Sequence, residues 1–161
     1  MSLEIIPGYE QIDAVRELFN EYTRMLVETD PVFGGYLALQ KYDEELLHPE
    51  LKYALPEGRL YIALEDGHCA GCIALRGLDR RRCEMKRLYI RPQYRGRGIA
   101  RALVSLLLEQ AAQEGYELML LDTLPALWEA IGLYRSMGFH DADRYNDSPL
   151  DYTVYLGKEL P

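Results

Sequence analysis

Hydrophobic positions along the chain switch repeatedly between a strand period and a helical period. Helices are predicted where apolar residues recur every three or four positions, and strands where short apolar runs are bounded by turn residues. The predicted helices cover residues 9–29, 35–47, 97–114 and 126–137. The predicted strands cover residues 3–6, 60–65, 69–76, 82–90, 117–122, 139–145 and 151–156. No repeat, low-complexity segment or linker interrupts this order, so we expect one domain over residues 1–161.

The predicted strand 82–90 changes the face to which its apolar residues point. Cys83 and Met85 are apolar at odd positions, whereas Leu88 and Ile90 are apolar at even positions. Successive strand residues point to opposite faces, so keeping all four on one face requires one extra residue between the two pairs. The pattern therefore predicts a β-bulge between Met85 and Leu88.

Positive charge is concentrated in the segment that contains this strand. The chain has 161 residues and a formal net charge of −8, yet ten of its 18 Lys and Arg residues lie between Arg76 and Arg101, together with only two acids. Clustered charge focuses the electrostatic potential, so the segment is typical of a site for a polyanion. The acidic remainder argues against nucleic acid as a substrate, because phosphate contacts dominate that affinity. An RNA-associated basic patch stays an alternative.

The basic segment ends in a glycine turn between a predicted strand and a predicted helix. Gly96 and Gly98 can adopt backbone angles that other residues avoid, and the first amides of the helix have no intrahelical partners. Such amides bind phosphate well. Arg101 stands where a dinucleotide-binding turn needs its third glycine, and the chain has no Gly-Lys-Ser/Thr for nucleotide phosphates. The turn therefore predicts a site for a different small phosphorylated ligand.

The cysteines and histidines predict no metal site. Cys69 and Cys72 are three positions apart on the predicted strand 69–76, and we expect them on opposite faces, where they can neither bind one ion nor form a disulfide. Together with Cys83 they are expected to be buried thiols. No apolar run is long enough to cross a membrane and the N-terminus is unlike a secretion signal, so we expect a cytoplasmic location.

Residues 83–139 resemble the GCN5-related N-acetyltransferase (GNAT) family. Arg95-x-x-Gly98-x-Ala100 is similar to the family's motif for the pyrophosphate of acetyl-CoA, and residues 117–122 and 130–139 are similar to the strand and helix that follow it. The resemblance implies the α/β GNAT acyl-CoA N-acyltransferase fold, in which a mixed, mostly antiparallel sheet splays between two parallel strands and is flanked by helices. It also implies acetyl-CoA as cosubstrate. The implied binding residues are Leu88, Tyr89, Ile90, Arg95, Gly96, Arg97, Gly98, Ile99, Ala100 and Arg101.

The resemblance further implies an enzyme that moves the acetyl group of acetyl-CoA to a primary amine of a small molecule or peptide, by direct transfer in a ternary complex. Such a reaction needs a base for the ammonium group and an acid for the departing thiolate. Glu84 matches the general base of the histone-acetylating branch of the family, and Tyr134 matches the tyrosine that approaches the coenzyme sulfur. Two alternatives stay open: Glu84 as an ion-paired strand residue, and Tyr134 as a packing residue.

One position departs from the family pattern. Leu127 stands seven residues before Tyr134, where many members have an asparagine that contacts the pantetheine arm, and Asp122 or Thr123 is a candidate replacement. The acceptor is expected between the first helices and the last hairpin. Residues named for this pocket are Tyr22, Tyr36, Tyr42, Tyr145, Asn146 and Tyr152. An acyl-CoA-binding sensor without catalysis is the alternative function from another class, and a homodimer is a further expectation.

Overall fold

A computed structural model describes residues 2–39 and 41–161 and shows a mixed α/β fold built on one seven-stranded sheet. Its strands are β1 Leu3–Pro7, β2 Arg59–Glu65, β3 His68–Gly77, β4 Arg82–Ile90, β5 Leu118–Thr123, β6 His140–Asp141 and β7 Val154–Glu159. Its helices are α1 Ile12–Thr29, α2 Phe33–Leu39, α3 Tyr42–Leu47, α4 Pro49–Lys52, α5 Ile99–Glu114 and α6 Trp128–Ser136, with a 3-10 turn at Pro92–Tyr94. None of the described helices is long and apolar enough to cross a membrane.

The strands follow the order β1-β2-β3-β4-β5-β7-β6 across the sheet. Among the described strands β4 and β5 form the single parallel pair, and their register runs only from Arg82↔Leu118 to Glu84↔Leu120. Beyond Glu84 these two strands diverge, while β5 continues to pair with β7 as far as Thr123. The predicted mostly antiparallel sheet with a splay between two parallel strands is confirmed. The splay leaves a gap inside the sheet.

The predicted bulge in β4 is also confirmed. Ala74 pairs with Lys86 and Cys72 pairs with Tyr89, so two steps along β3 correspond to three steps along β4. The extra residue is Arg87, whose φ of 62° lies in the left-handed region. As a result, the apolar residues at both ends of β4 pack into the same side of the core.

Helices cover both faces of the sheet. Leu103 and Leu107 of α5 are fully buried on one face, where α6 also packs. Phe19 of α1 and Ile62 of β2 are fully buried on the opposite face, together with apolar residues of α2 and α3. The gap between β4 and β5 therefore lies between two helical layers.

The predicted helix 35–47 is two helices in the structure. α2 ends at Leu39, Gln40 lies outside the described residues, and Lys41 has a φ of 56° immediately before α3. A right-handed helix cannot continue through a residue with positive φ. The prediction of one continuous helix was therefore wrong.

The closing hairpin is shorter than predicted. β6 covers two residues instead of 139–145, and β7 begins at Val154 and continues past 156 to Glu159. Between them, Asn146 Oδ1 accepts a hydrogen bond from the Ser148 amide at 3.2 Å, and Ser148 Oγ accepts one from the Leu150 amide at 3.2 Å. Local side-chain bonds of this kind satisfy backbone groups that a strand ladder would otherwise use. The segment is therefore a loop.

β3 carries an extra residue of its own near its start. Leu64 pairs with Cys69 whereas Ala63 pairs with Gly71, so the register shifts by one residue. Because of this shift, Cys69 and Cys72 both pack against the α1 side of the core, and the prediction of opposite faces was wrong. Both are free thiols, and no cluster of metal-binding side chains occurs in the described residues.

Candidate active site

A cleft of about 460 Å³ opens where β4 and β5 diverge. Ile99 of α5 and Tyr134 of α6 line it on one side of the sheet, and Tyr22 of α1 and Tyr36 of α2 line it on the other. The cleft therefore passes through the gap in the sheet and reaches both helical layers. Its size is typical of a small-molecule site.

The glycine turn forms one end of this cleft. Gly96 and Gly98 have φ angles of 77° and 82°, and α5 begins directly after Gly98. The Ala102 amide donates to the Gly98 carbonyl at 3.1 Å, so the amides of residues 99–101 precede the first hydrogen bonds of the helix. A Cβ placed on Gly98 meets no atom within 4 Å. A ligand can therefore approach the backbone closely at this point.

Every residue of the predicted cosubstrate site except Arg97 lines the cleft. The nine that line it are Leu88, Tyr89, Ile90, Arg95, Gly96, Gly98, Ile99, Ala100 and Arg101. Arg97 instead pairs with Glu65, with 2.7 Å between Nη1 and Oε2. The structure thus brings nine of the predicted residues together, and their binding role stays a prediction.

Most of the basic segment is neutralised by acids, many of them from other elements. The ion pairs are Arg76–Glu84, Arg81–Glu117, Arg82–Asp79, Arg87–Glu45, Arg91–Glu17, Arg91–Glu21 and Arg97–Glu65. Two arginines reach the cleft without a carboxylate partner among the described residues: Arg95 donates to the Ile90 carbonyl at 2.9 Å, and Arg101 donates to Ser136 Oγ at 2.9 Å. The unpaired positive charge at the cleft is therefore smaller than the sequence predicts.

A buried ion pair holds the bulge in β4. Arg87 Nε and Nη2 donate to the two carboxylate oxygens of Glu45, each at 2.8 Å, and both side chains are at most 3% exposed. Lys52 Nζ donates to the same carboxylate at 2.5 Å. Burial alone would raise the pKa of Glu45, but the hydrogen bonds and charges of Arg87 and Lys52 lower it to about 2. Glu45 is therefore ionised, and its bidentate contact holds Arg87, the bulge residue of β4, in place.

Tyr134 lies inside the cleft on α6. It is 7% exposed, and its ring packs against Phe139 with 5.8 Å between ring centroids. Burial raises the pKa of its hydroxyl above the ordinary value, so the group is protonated at neutral pH. Within the described part of the chain, no protein group forms a hydrogen bond with this hydroxyl. The placement is compatible with a proton donor, and the ring also makes the packing contact of the alternative interpretation.

Glu84 lies outside the set of residues that line the cleft. Its side chain is 2% exposed and accepts hydrogen bonds from Arg76 Nε at 2.7 Å and from the Tyr145 hydroxyl at 2.5 Å. Burial would raise the pKa of Glu84, but the charges of Lys86 and Arg76 and the Tyr145 hydrogen bond lower it. These contacts fit the ion-paired alternative, and the role of Glu84 as general base stays a prediction.

Asp122, Tyr36 and Asn146 are each candidates from the sequence, but the sequence does not predict that they form one hydrogen-bonded group. Asp122 lines the cleft, and its Oδ2 accepts hydrogen bonds from the Tyr36 hydroxyl and from Asn146 Nδ2, the latter at 2.8 Å. The three residues come from β5, α2 and the loop before β7, so no local pattern connects them. Leu127 also lines the cleft and contributes an apolar side chain where the family often has an amide.

Two of the residues expected around the acceptor, Tyr22 and Tyr36, line the cleft. The others lie outside the set of lining residues and form side-chain hydrogen bonds of their own. Their contacts are Tyr42 to Asn20, Tyr145 to Glu84, Asn146 to Asp122, and Tyr152 to Asp30. Of the expected acceptor residues, all within the described ranges, only Tyr36 and Asn146 therefore meet, at the Asp122 carboxylate.

Comparisons with known proteins identify the family of this chain. The acetyltransferase (GNAT) family model matches residues 12–139. An uncharacterised N-acetyltransferase of Schizosaccharomyces pombe is 33% identical over 162 residues, covering 99% of this chain and 95% of that relative.

Solved structures show the same fold. An acetyltransferase from Streptococcus agalactiae has a TM-score of 0.77 at 22% identity and covers 98% of both chains. The PaiA N-acetyltransferase from Thermoplasma acidophilum, in complex with coenzyme A, has a TM-score of 0.75 at 17% identity and covers 99% of this chain and 100% of that one. The family model and the full-length relative together establish that this chain belongs to the acetyltransferase (GNAT) family and is an acyltransferase.

Proposed function

We propose that this chain transfers the acetyl group of acetyl-CoA to a primary amine of a small molecule or peptide, directly and within a ternary complex. One observation carries the proposal: the amides that begin α5 and the hydroxyl-bearing Tyr134 line the same cleft. The structurally similar PaiA protein was solved with coenzyme A bound, which supports the same ligand here. We further propose that residues 1–161 act as one cytoplasmic domain.

The residues at the glycine turn fit the diphosphate of acetyl-CoA. The amides of residues 99–101 are donors at the positive end of the α5 dipole, and Arg95 and Arg101 add positive charge beside them. On the bulged strand, residues 88–90 have no β5 partner. Apart from the Ile90 carbonyl, which accepts from Arg95, their backbone groups on that side are available to amides of the pantetheine arm. Leu127 supplies apolar contact to that arm in place of a hydrogen bond.

The chemistry requires two proton movements. When bound, acetyl-CoA supplies the acetyl group as a thioester. Releasing the free amine from an ammonium of pKa about 10.4 costs roughly 4 to 5 kcal/mol at neutral pH. Tyr134 donates its hydroxyl proton to the sulfur as the C–S bond breaks, a step of this kind being worth about 10²- to 10⁴-fold. Glu84 is one candidate for taking the ammonium proton, but it would first have to release Arg76 or Tyr145.

The buried cysteines support direct transfer over a covalent acyl-enzyme. Cys83 Sγ donates to the Leu118 carbonyl at 3.6 Å, and burial, followed by the charge of Glu84, raises its pKa to about 12. Burial also raises the pKa of Cys72. A thiol attacks a thioester in its ionised form, and both thiols are neutral at physiological pH. The amine is therefore the nucleophile that meets the acetyl group.

The test uses the chain's single tryptophan, Trp128, which lines the cleft and is 70% exposed. Titration with acetyl-CoA should change Trp128 fluorescence, and a panel of amines, amino acids and peptides should accelerate release of coenzyme A. Tyr134→Phe should lower kcat by about 100-fold while leaving acetyl-CoA affinity unchanged. Tyr116→Phe is the matched control, because its hydroxyl bonds to the Glu57 carbonyl away from the cleft.

Three outcomes would contradict parts of this proposal. If acetyl-CoA produced neither a fluorescence response nor calorimetric heat, it would be excluded as the ligand. Binding accompanied by coenzyme A release that no acceptor accelerates would favour the sensor. An unchanged rate in Tyr134→Phe would remove Tyr134 from the reaction.

A further inference from the structure

The cleft contains a carboxylate at the point where the two parallel strands have separated. The β4–β5 register ends at Leu120, and Asp122 lies two residues further along β5. On its other side Asp122 pairs with Tyr155 of β7, which holds the backbone in place. Its side chain is therefore placed on a fixed strand beside the open gap.

The Asp122 carboxylate is oriented by two donors on one oxygen. The Tyr36 hydroxyl and Asn146 Nδ2 both donate to Oδ2. Within the described residues, no protein donor bonds to Oδ1. Since both donors are on the same oxygen, Oδ1 is the atom that a ligand in the cleft can reach.

The wall around Asp122 on this face combines apolar side chains with a cation. Lys86 is buried and lines the same cleft, where burial lowers its pKa to about 8 against the opposing charges of Glu84 and Asp122. Tyr36 lies beside Asp122, and Leu26 and Phe33 line the same side of the cleft. This side belongs to the α1 and α2 layer, opposite the layer that contains Tyr134 and the start of α5. Because no described protein donor bonds to Oδ1 even with Lys86 nearby, this oxygen beside apolar side chains is best satisfied by a ligand of opposite charge whose remaining surface is apolar.

We propose that Asp122 binds the ammonium group of the acceptor and takes its proton, and that the acceptor is a primary amine with an apolar body. The inference rests on the acetyl transfer proposed above and names its acceptor class. Asp122 thereby takes the role of general base, which the sequence assigns to Glu84. Asp122 lines the cleft and has one oxygen without a donor among the described residues, whereas both carboxylate oxygens of Glu84 accept hydrogen bonds, from Arg76 and Tyr145.

The transfer releases one proton in all. Asp122 Oδ1 takes one proton from the ammonium and later releases it to water, since its side chain is only half buried. The nitrogen electron pair forms the C–N bond to the acetyl carbon, and the C–S bond breaks with its electron pair on sulfur. Tyr134 gives its proton to that sulfur and regains one from the nitrogen. The products are the acetylated amine, the thiol of coenzyme A and one proton.

The test compares Asp122→Asn with wild type, using phenethylamine as acceptor. We expect kcat/KM for phenethylamine to fall by at least about 100-fold while the Trp128 response to acetyl-CoA is unchanged. Asp147→Asn removes the same charge from an exposed position near Asn146 and should leave both values unchanged. Should Asp122→Asn fail to fold, Asn146→Ala removes one of the two donors on Oδ2 and is expected to lower kcat/KM by about tenfold.

The apolar part of the proposal is tested with ethanolamine, whose body is polar. Phenethylamine should exceed it in kcat/KM by about tenfold or more, because an apolar group is buried in only one of the two cases. The inference would be overturned by a wild-type kcat/KM in Asp122→Asn, or by a larger loss of kcat/KM in Glu84→Gln than in Asp122→Asn. Equal kcat/KM values for ethanolamine and phenethylamine would also overturn it. So would acetyl-CoA binding without phenethylamine turnover. A missing Trp128 response would instead overturn the proposed function itself.

Discussion

At the level of single residues, Gly98 combines a left-handed backbone conformation with a place in the lining of the cleft. Its φ of 82° costs an L-residue about 1 to 2 kcal/mol, and its added Cβ would enter open space, because no atom lies within 4 Å of it. We expect Gly98→Ala to weaken acetyl-CoA binding by about tenfold, which corresponds to a loss of about 1.4 kcal/mol. Trp128 fluorescence titration measures the affinity.

Gly115→Ala is the control for backbone strain. Gly115 ends the same helix at a φ of 97°, and its added Cβ also meets open space. Both variants should therefore lose similar thermal stability, but only Gly98→Ala should lose affinity. Equal affinity in the two variants would show that the turn does not contact the ligand.

The residues that the sequence could identify are those whose role is local. The glycine turn and its helix follow one another along the chain, so their spacing was enough to predict that the helix N-terminus lies beside the turn. Arg76 lies directly opposite Glu84 across the β3–β4 hairpin, and counting the hairpin register would have predicted this ion pair. Tyr145 reaches Glu84 from 61 positions away, and no pattern in the sequence carries that information.

At the scale of elements, the ion pair between α3 and the bulge of β4 controls the shape of the cleft. Glu45→Gln would leave Arg87 charged and without its carboxylate in a buried site, which costs about 3 to 5 kcal/mol. We expect lower stability in urea and a higher KM for acetyl-CoA, since residues 88–90 follow the bulge. Glu114→Gln is the control, because its ion pair with Arg59 is partly exposed and worth about 1 kcal/mol or less.

The same pair predicts a component of acid unfolding. The pKa of Glu45 is about 2 in the folded protein against an ordinary 4.5, so its contribution is fully present above about pH 4.5 and is lost as the pH falls towards 2. This shift corresponds to about 3 kcal/mol. Glu45→Gln should therefore show a smaller loss of stability than wild type over this range of pH. Parallel slopes of unfolding free energy against pH would contradict the assignment.

Helices and strands were predictable where apolar residues recur at a regular spacing. The change of parity between Met85 and Leu88 was sufficient to locate the bulge, because a strand has a period of two. The division of the second predicted helix was not predictable, because Lys41 has a positive φ and nothing about a lysine indicates this conformation. The loop before β7 escaped prediction because it is held by side-chain hydrogen bonds.

At the scale of the whole molecule, the charge distribution is much more even than the sequence suggested. Most of the basic segment is paired, and of the arginines that line the cleft, Arg95 and Arg101 have no carboxylate partner among the described residues. We expect acetyl-CoA affinity to fall by about tenfold or less between about 50 and about 200 mM NaCl, because few counterions are released. Fluorescence titration at the two salt concentrations measures this change.

Variants of the basic segment separate the two kinds of arginine. Arg95→Glu combined with Arg101→Glu should weaken acetyl-CoA binding, because both side chains line the cleft. Arg80→Glu changes an exposed residue at the β3–β4 turn, at the other end of β4, and should leave binding unchanged. A steep salt dependence, or tight binding of single-stranded RNA, would support the basic-patch alternative instead.

Because β4 and β5 separate, residues from both faces of the sheet line one cleft: those at the start of α5 on one face and those of α1 and α2 on the other. In the binding proposed above, acetyl-CoA and the acceptor occupy opposite sides of this gap, so neither covers the other's side. The two can therefore enter in either order and depart independently, so steady-state kinetics should follow random addition with no compulsory first partner.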